Sequence, residues 1–447
     1  MKSLSKGGAG SNASLLLLDS VVRMGATLVI GVIVARVYGP DGFGAINTAI
    51  SLCTIVLGFS ALGMSGILVK ELIERPGFRG TIMTTVVVAK SALGGMLYLS
   101  MLMFLNLFGD SNLTVVVAII GFGYLFTSLD VFEANFNADS DFKRLVFLHI
   151  GGVVLATVVK LIVLVVGGSL SWLAIGYGLD YAFMYLLPAL YFFIKTRPAM
   201  IEGVSYRAQF LFPELVSLLK RSWPIMASGF LAQVNLRIDA LMIAALLSFS
   251  QVGIYTAAGR LSESWTVLAM AIVTAVFPML VRSSKTDREQ YADGLLRLFR
   301  LLVWISLAGA TVVFFLSPMI IRLLYGVDFA ASATVLSIHI FGGMFLFVRT
   351  ALSRWLIVEN LYIFSLLSHG AGAIVNIIGN ALVLDRFGVV GAAWVAVLSY
   401  ATSGLFFLLL TPRTRVLFKI IIVSSIPGRH RAPQVRKLVD KLPSAKA

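Results

Sequence analysis

Ten charged side chains are set inside otherwise apolar stretches of this chain. The bases are Arg23, Lys90, Lys160, Arg237, Arg260 and Arg349, and the acids are Asp19, Asp180, Asp239 and Glu263. A charged group at the centre of a membrane helix costs roughly 2.5–3.5 kcal/mol on insertion scales, so such groups face a cavity or one another. Six bases against four acids leave this interior two charges positive, which favours an anion. The guanidinium fork matches phosphate oxygens in particular. Arg23, Arg237, Arg260, Arg349 and Lys90 are therefore the candidates for an anion-binding cationic cavity. Asp239, Glu263 and Asp19 are the candidates for charge balance or ion coupling.

Spacing sharpens the choice without closing it. At a rise of 1.5 Å per residue, Arg237 and Asp239 lie roughly 12–15 Å from the outer end of their span, and Arg260 and Glu263 roughly 9–14 Å from the outer end of the next. All four are thus expected in one layer. Arg260 and Glu263, three apart, share a helix face, whereas Arg237 and Asp239, two apart, do not. Asp19 and Arg23 are four apart, and Lys160 and Asp180 can bridge a hairpin, so each of these couples also reads as a neutral structural pair. Lys90 can also snorkel. His149, His339 and His369 lie in or near the ends of spans, where packing histidines and proton relays both occur. Trp223 and Trp355 read as interfacial belt residues.

The elements that must hold these groups are membrane helices. The chain has 447 residues, 59% hydrophobic and 13% charged, against about 25% charged in soluble domains. In lipid each backbone amide is satisfied within a helix or a closed barrel. The apolar runs are continuous and not alternating, which selects helices. About twelve spans are expected, at 14–36, 43–68, 81–108, 113–136, 145–167, 171–195, 222–247, 254–281, 296–317, 333–357, 361–384 and 389–411. The turns after odd-numbered spans are short and Gly-rich. The polar start up to Ser14 lacks a small-residue cleavage site, so the first span reads as retained.

Of the 36 Lys and Arg residues, 27 fall at the N-terminus, in the even-to-odd loops and in the tail, and three (Arg36, Arg322 and Arg386) fall in the opposite loops. Both termini are therefore expected in the cytoplasm. The basic loop 196–221 divides the spans into an N-terminal six-helix bundle, 1–195, and a C-terminal one, 222–411, followed by a basic cytoplasmic tail, 412–447. The halves echo each other weakly: Gly44–Ala49 corresponds to Gly253–Ala258, and Ala156–Tyr181 to Val375–Tyr400. Two halves of the same orientation are a transporter plan, with the site expected where the halves meet. In the tail, Val416–Val423 is too short to span. It reads as a segment on an anionic membrane surface or as a solvated one.

Other classes are disfavoured. No phosphate-binding G-x-x-x-x-G-K-[ST] loop occurs, nor G-x-S-x-G, nor H-E-x-x-H. Cys53 is the single cysteine, so neither an intrachain disulfide nor a CxxC metal site is available. No cofactor and no metal is implied. The net charge of +15 sits in short loops and the tail, with no basic domain to receive nucleic acid. The outer loops are too short to carry the acidic site of a membrane polymerase, so no enzyme is expected.

The run Val34-Ala35-Arg36-Val37-Tyr38-Gly39-Pro40-Asp41-Gly42-Phe43-Gly44 resembles the first outer turn of the oligosaccharide-lipid flippases of the MOP superfamily, the O-antigen and exopolysaccharide translocases. Leu62-Gly63-Met64 through Leu68-Val69-Lys70-Glu71 is similar to the end of their second helix. In the second half Trp223-Pro224-Ile225, Ile238-Asp239-Ala240-Leu241-Met242-Ile243 and Val252-Gly253-Ile254-Tyr255-Thr256-Ala257-Ala258-Gly259-Arg260-Leu261 follow that family's order, and Pro278 is expected to close the eighth helix. The resemblance covers roughly 12–411. It implies an all-α fold of the MOP type and an isoprenoid-diphosphate-linked oligosaccharide as cargo. It further implies alternating access in a bacterial cytoplasmic membrane, membrane lipids as surroundings, and a polysaccharide polymerase or export complex as partner. The family's motif positions fall on Asp239, Tyr255 and Arg260. A drug/cation antiporter of the same superfamily, which would want a net acidic pocket, and a polymerase or ligase of the same pathway are the alternatives.

The charge asymmetry makes a direct prediction. A single cysteine placed in the tail near Ser444, in a Cys53→Ser background, should react with an impermeant maleimide only in inverted vesicles. One placed at Asp41 should react only in intact cells.

Overall fold

The computed structural model describes residues 9–61, 64–199, 209–358, 361–426 and 432–439. Among the described residues the regular elements are all helical. By its contacts the chain forms two compact units, Met1–Leu241 and Met242–Ala447. The first holds α1 (Ala9–Val56), α2 (Ser65–Glu74), α3 (Arg79–Phe108), α4 (Ser111–Tyr124), α5 (Asp130–Ala138), α6 (Phe142–Val166), α7 (Leu170–Ala199) and α8 (Phe212–Leu246) up to Leu241. The second holds α9 (Phe249–Ser264), α10 (Thr266–Thr286), α11 (Arg288–Leu324), α12 (Ser332–Val358), α13 (Tyr362–Gly404), α14 (Pro412–Ser425) and α15 (Ala432–Val439). The boundary lies inside α8, well past the basic 196–221 segment. An ionic cluster accounts for this: buried Glu71 of α2 accepts hydrogen bonds from Arg75, at 3.3 Å, and from Arg221 of α8. Arg75 also grips Glu214 of α8 with both its terminal nitrogens, at 2.5 and 3.1 Å.

Ten helical stretches among the described residues are long and apolar enough to cross a membrane. Their outer surfaces are apolar too: Val165 is 87% exposed and Phe147 78%. Such a surface is stable only against lipid. The chain is an all-α, multi-pass membrane protein.

Two of the ten stretches, Ser14–Ser60 with 47 residues and Tyr362–Leu409 with 48, are about twice the ~20 residues a crossing needs. Each breaks at one glycine, Gly39 (φ 65°) in α1 and Gly388 (φ 55°) in α13. A residue with a side chain is strained in that conformation. At Gly388 the chain folds back on itself, because a Cβ on Gly379 would lie 2.7 Å from the Val395 side chain. The Gly-, Pro- and Asp-containing run at 38–42 thus holds a single non-helical residue, Gly39.

Three further expectations about the helices change. The fourth predicted span is two helices, α4 and α5, joined by a 3₁₀ turn at Leu125–Leu129. The eighth is also two, α9 and α10, meeting at Trp265. Pro278 does not close that span: it lies inside α10, which runs on to Thr286. A proline interior to a helix removes one backbone bond and bends the helix without ending it. Among the described residues the tail is helical and packed. Leu417, Ile420 and Ile421 of α14 and Val435 and Val439 of α15 are buried with Tyr291, Leu295 and Phe299 of α11. Arg436 clamps this packing by ion pairs to Asp293 at 2.9 Å and Glu289 at 3.1 Å. Hydropathy does not register such packing, because α11, with 37 residues and therefore about 55 Å long, continues past its apolar portion.

The first unit is closed by a contact that only glycine permits. A Cβ on Gly123 of α4 would stand 2.1 Å from the Gly178 carbonyl oxygen of α7. Gly123→Leu should push these helices apart and lower the melting temperature in detergent by several degrees, as overpacking by about 1–3 kcal/mol requires. Gly25→Ala, which meets nothing within 4 Å, should melt as the wild type does.

Candidate functional site

The charged groups of the first unit meet where α1, α5 and α6 pack. Asp19 and Arg23 lie one turn apart on α1. Arg23 Nη2 donates to Asp19 Oδ2 at 3.0 Å. The same oxygen stands 3.4 Å from His149 Nδ1 of α6, and His149 Nε2 lies 4.0 Å from Glu133 Oε2 of α5. Asp19 and His149 are both only 3% exposed. The Arg23 side chain keeps 34% of its surface open, with Nη1 resting 3.8 Å from the Met184 sulfur of α7. The 3₁₀ break before α5 is what makes this arrangement. It begins a new helix at Asp130, so Asp130 and Glu133 occupy the first turn, where the helix dipole stabilises carboxylates.

Two bases of the same unit are tied to acids. The Lys90 ammonium, 0% exposed, donates to both Asp130 oxygens at 2.7 and 2.8 Å. Lys160 donates to both Asp180 oxygens at 2.8 and 2.6 Å and sits 4.9 Å from the Tyr177 ring centre. The same unit holds Arg237, half-buried, and Asp239, buried. Arg237 lies within electrostatic reach of Tyr124 and Tyr181, whose rings meet at 4.5 Å between centroids with a tilt of 43°.

In the second unit Arg349 of α12 is 6% exposed. Its Nη1 donates to the Ser368 hydroxyl and the Ser403 carbonyl, both at 2.9 Å, and Nη2 to the Ser365 hydroxyl at 3.3 Å, all on α13. No carboxylate pairs with it among the described residues. Arg260 and Glu263 are half-buried on α9. Tyr255, 5% exposed, meets the His339 ring edge-on at 5.7 Å, and His339 meets Tyr400 the same way at 5.8 Å. His339 Nδ1 is 2.5 Å from the Ser262 hydroxyl. Tyr255 and His339 therefore belong to a packed aromatic layer.

The structure thus brings Asp19 and Arg23 together with His149, and joins Lys90 and Lys160 to acids. The boundary between the units falls between the Arg237–Asp239 and Arg260–Glu263 couples. Sequence reasoning does not single out Asp130 and Glu133, which lie near the end of the fourth predicted span. Including them leaves six bases against six acids, and the expected surplus of two positive charges disappears. Their own spacing, three apart inside an apolar run, was the available signal. Two arginines keep distinct surroundings: Arg23 is one-third open, and Arg349 is buried among hydroxyls.

A model of the family described as "Polysaccharide biosynthesis protein" matches residues 33–334. The chain belongs to this family. No curated protein matches it. Its fold is similar to "Lipid II flippase MurJ, inward closed conformation", at 14% identity and a TM-score of 0.67 over 96% of this chain and 97% of that one. It is also similar to an inward-facing "multidrug resistance MATE family transporter of the MOP superfamily", at 15% identity and a TM-score of 0.62 over 94% and 99%. The "MATE multidrug transporter DinF-BH" is similar as well, at 17% identity and a TM-score of 0.61 over 94% and 99%. These proteins are a flippase and transporters. This family member shares the fold of these structures.

The Lys90–Asp130 pair supports a prediction. Breaking a buried pair leaves an uncompensated charge, at about 3–5 kcal/mol, whereas replacing both partners is far milder. Lys90→Met and Asp130→Leu should each reduce thermal stability strongly. The double variant should recover most of it, so a thermal-melt double-mutant cycle should show a large coupling term.

Proposed function

We propose that this protein moves an isoprenoid-diphosphate-linked oligosaccharide across a bacterial cytoplasmic membrane by alternating access, for surface or secreted polysaccharide. The family match supports the polysaccharide pathway, and the MOP fold supports transport. The observation that carries the choice of an anionic head group is the state of the arginines. Arg23 has one carboxylate contact and an open third of its surface, and Arg349 has none among the described residues. A guanidinium in low dielectric without full compensation favours an anion with several oxygens.

In this reading Arg23 and Arg237 receive the diphosphate or acidic sugars in one state, and Arg260 and Arg349 in another. Tyr124 and Tyr181, a tilted aromatic pair within electrostatic reach of Arg237, offer faces to a sugar ring. Asp19, Asp239 and Glu263 balance the arginines when cargo is absent. Lys90, fully engaged by Asp130, is assigned to the scaffold instead. Twelve crossings with both termini cytoplasmic follow if each glycine break is a turn at the membrane surface, and a polymerase or export complex takes up the product. Arg36 and Asp41 flank the first such break.

Arg23→Ala and Arg260→Ala should each reduce polysaccharide export at least tenfold at normal protein level, with unflipped lipid-linked units accumulating on the cytoplasmic leaflet. Normal export by both single variants would sink the anion reading. Exposed but unpolymerised units would favour a polymerase or ligase, and drug resistance on overexpression a drug antiporter.

A further inference from the structure

The cluster around His149 has a charge count that the arginine reading does not use. Five charged groups converge: Arg23 and Lys90 against Asp19, Asp130 and Glu133. Lys90 is matched to Asp130, and Arg23 to Asp19. Glu133 has His149 Nε2 at 4.0 Å and lies within electrostatic reach of Arg23, Asp19 and Asp130. His149 stands between two carboxylates from two different helices, one at each ring nitrogen. Nε2 of that ring has no hydrogen-bond partner, and neither has Oδ1 of Asp19, although both atoms are buried. The remaining titratable groups nearby are Tyr185 of α7, within electrostatic reach of Glu133, Asp130 and Arg23, and Lys143 and Arg144 at the start of α6, the latter paired to Asp141. Farther along α6, Lys160 is held by Asp180.

Asp19 has a double duty here. One of its oxygens, Oδ2, serves both Arg23 and His149. An anion that takes Arg23 for itself removes the counter-charge of Asp19, and would leave two carboxylates, buried Asp19 and partly exposed Glu133, around a neutral ring. A proton on His149 answers both, because an imidazolium donates from both nitrogens. We propose that His149, between Asp19 and Glu133, is a proton-binding site filled when an anionic head group engages Arg23, so that loading of the diphosphate and uptake of one proton are linked. This rests on the diphosphate reading above. Linkage is reciprocal: the anion favours the proton and the proton favours the anion by the same factor. The sign follows. Affinity rises as pH falls, by at most about tenfold per pH unit for one proton.

The test uses the full-length protein in nanodiscs and farnesyl diphosphate as the probe. Binding is measured by calorimetry at about pH 6 and about pH 8, in two buffers of different ionisation enthalpy, for the wild type, His149→Gln, Glu133→Gln and Arg23→Gln. The wild type should bind several-fold more tightly at the lower pH and take up protons on binding. His149→Gln should flatten both effects, and Glu133→Gln should weaken them. The probe's own titration is common to all variants and cancels in the comparison. If His149→Gln is not monodisperse, the proton count in wild type and Glu133→Gln decides. Equal pH dependence and equal proton uptake in wild type and both His149 and Glu133 variants overturns the proposal while the diphosphate reading stands. Failure of the wild type to bind, or binding by Arg23→Gln as tight as wild type, overturns the diphosphate reading and this inference with it. Binding that depends on sodium and not on pH overturns the inference alone.

Discussion

The cost of an uncompensated charge in hydrocarbon governs this structure. Roughly 2.5–3.5 kcal/mol per group is affordable only when each buried charge has somewhere to go, and the helices are arranged so that most do. Lys90 reaches Asp130 across 40 residues of sequence, Lys160 reaches Asp180 across 20, and His149 reaches Asp19 across 130. These contacts fix the register of α1, α3, α5, α6 and α7 against one another more strictly than apolar packing alone, since a sliding Leu finds another apolar neighbour and a sliding Lys does not.

The same constraint separates the bases that a carboxylate fully engages from those it does not. A base held by both oxygens of a carboxylate has no remaining field to offer a guest. Lys90 and Lys160 are of this kind, and a cation–π contact completes the second. Arg23 and Arg349 differ. Arg23 shares its acid with a histidine and leaves part of its surface open. Arg349 is solvated by two hydroxyls and a carbonyl, which satisfy donors without cancelling charge. The distinction is chemical, not positional, since all four lie inside apolar helices.

Breaks in the helices do as much as the helices themselves. The 3₁₀ turn ahead of α5 places Asp130 and Glu133 in a first turn, where the helix dipole offsets part of their charge. The single-residue reversal at Gly388 lets α13 pack on itself, and α12 lodges Arg349 against its two serines. Beyond the apolar portion of α11, the tail helices α14 and α15 bury a set of aliphatic side chains and one arginine clamp, which extends the second unit past the bilayer's thickness.

Much of this was legible in the residues alone. Continuous apolar runs, the asymmetric Lys and Arg distribution and the Gly-rich turns dictate an all-helical membrane protein, because lipid permits few other solutions for the backbone. The motifs around Gly39 and Asp239–Arg260 pointed to the family. Local pairs such as Asp19–Arg23 follow from helical spacing. What the residues could not reveal is which charges cancel across helices. That depends on register and break positions: Pro278 looks like an end and is a bend, the fourth span looks continuous and is two helices, and an apparent surplus of two bases vanishes once Asp130 and Glu133 turn inward. Periodicity fixes which face of a helix is polar, but only the packing of α1, α5 and α6 decides that His149 stands between two acids.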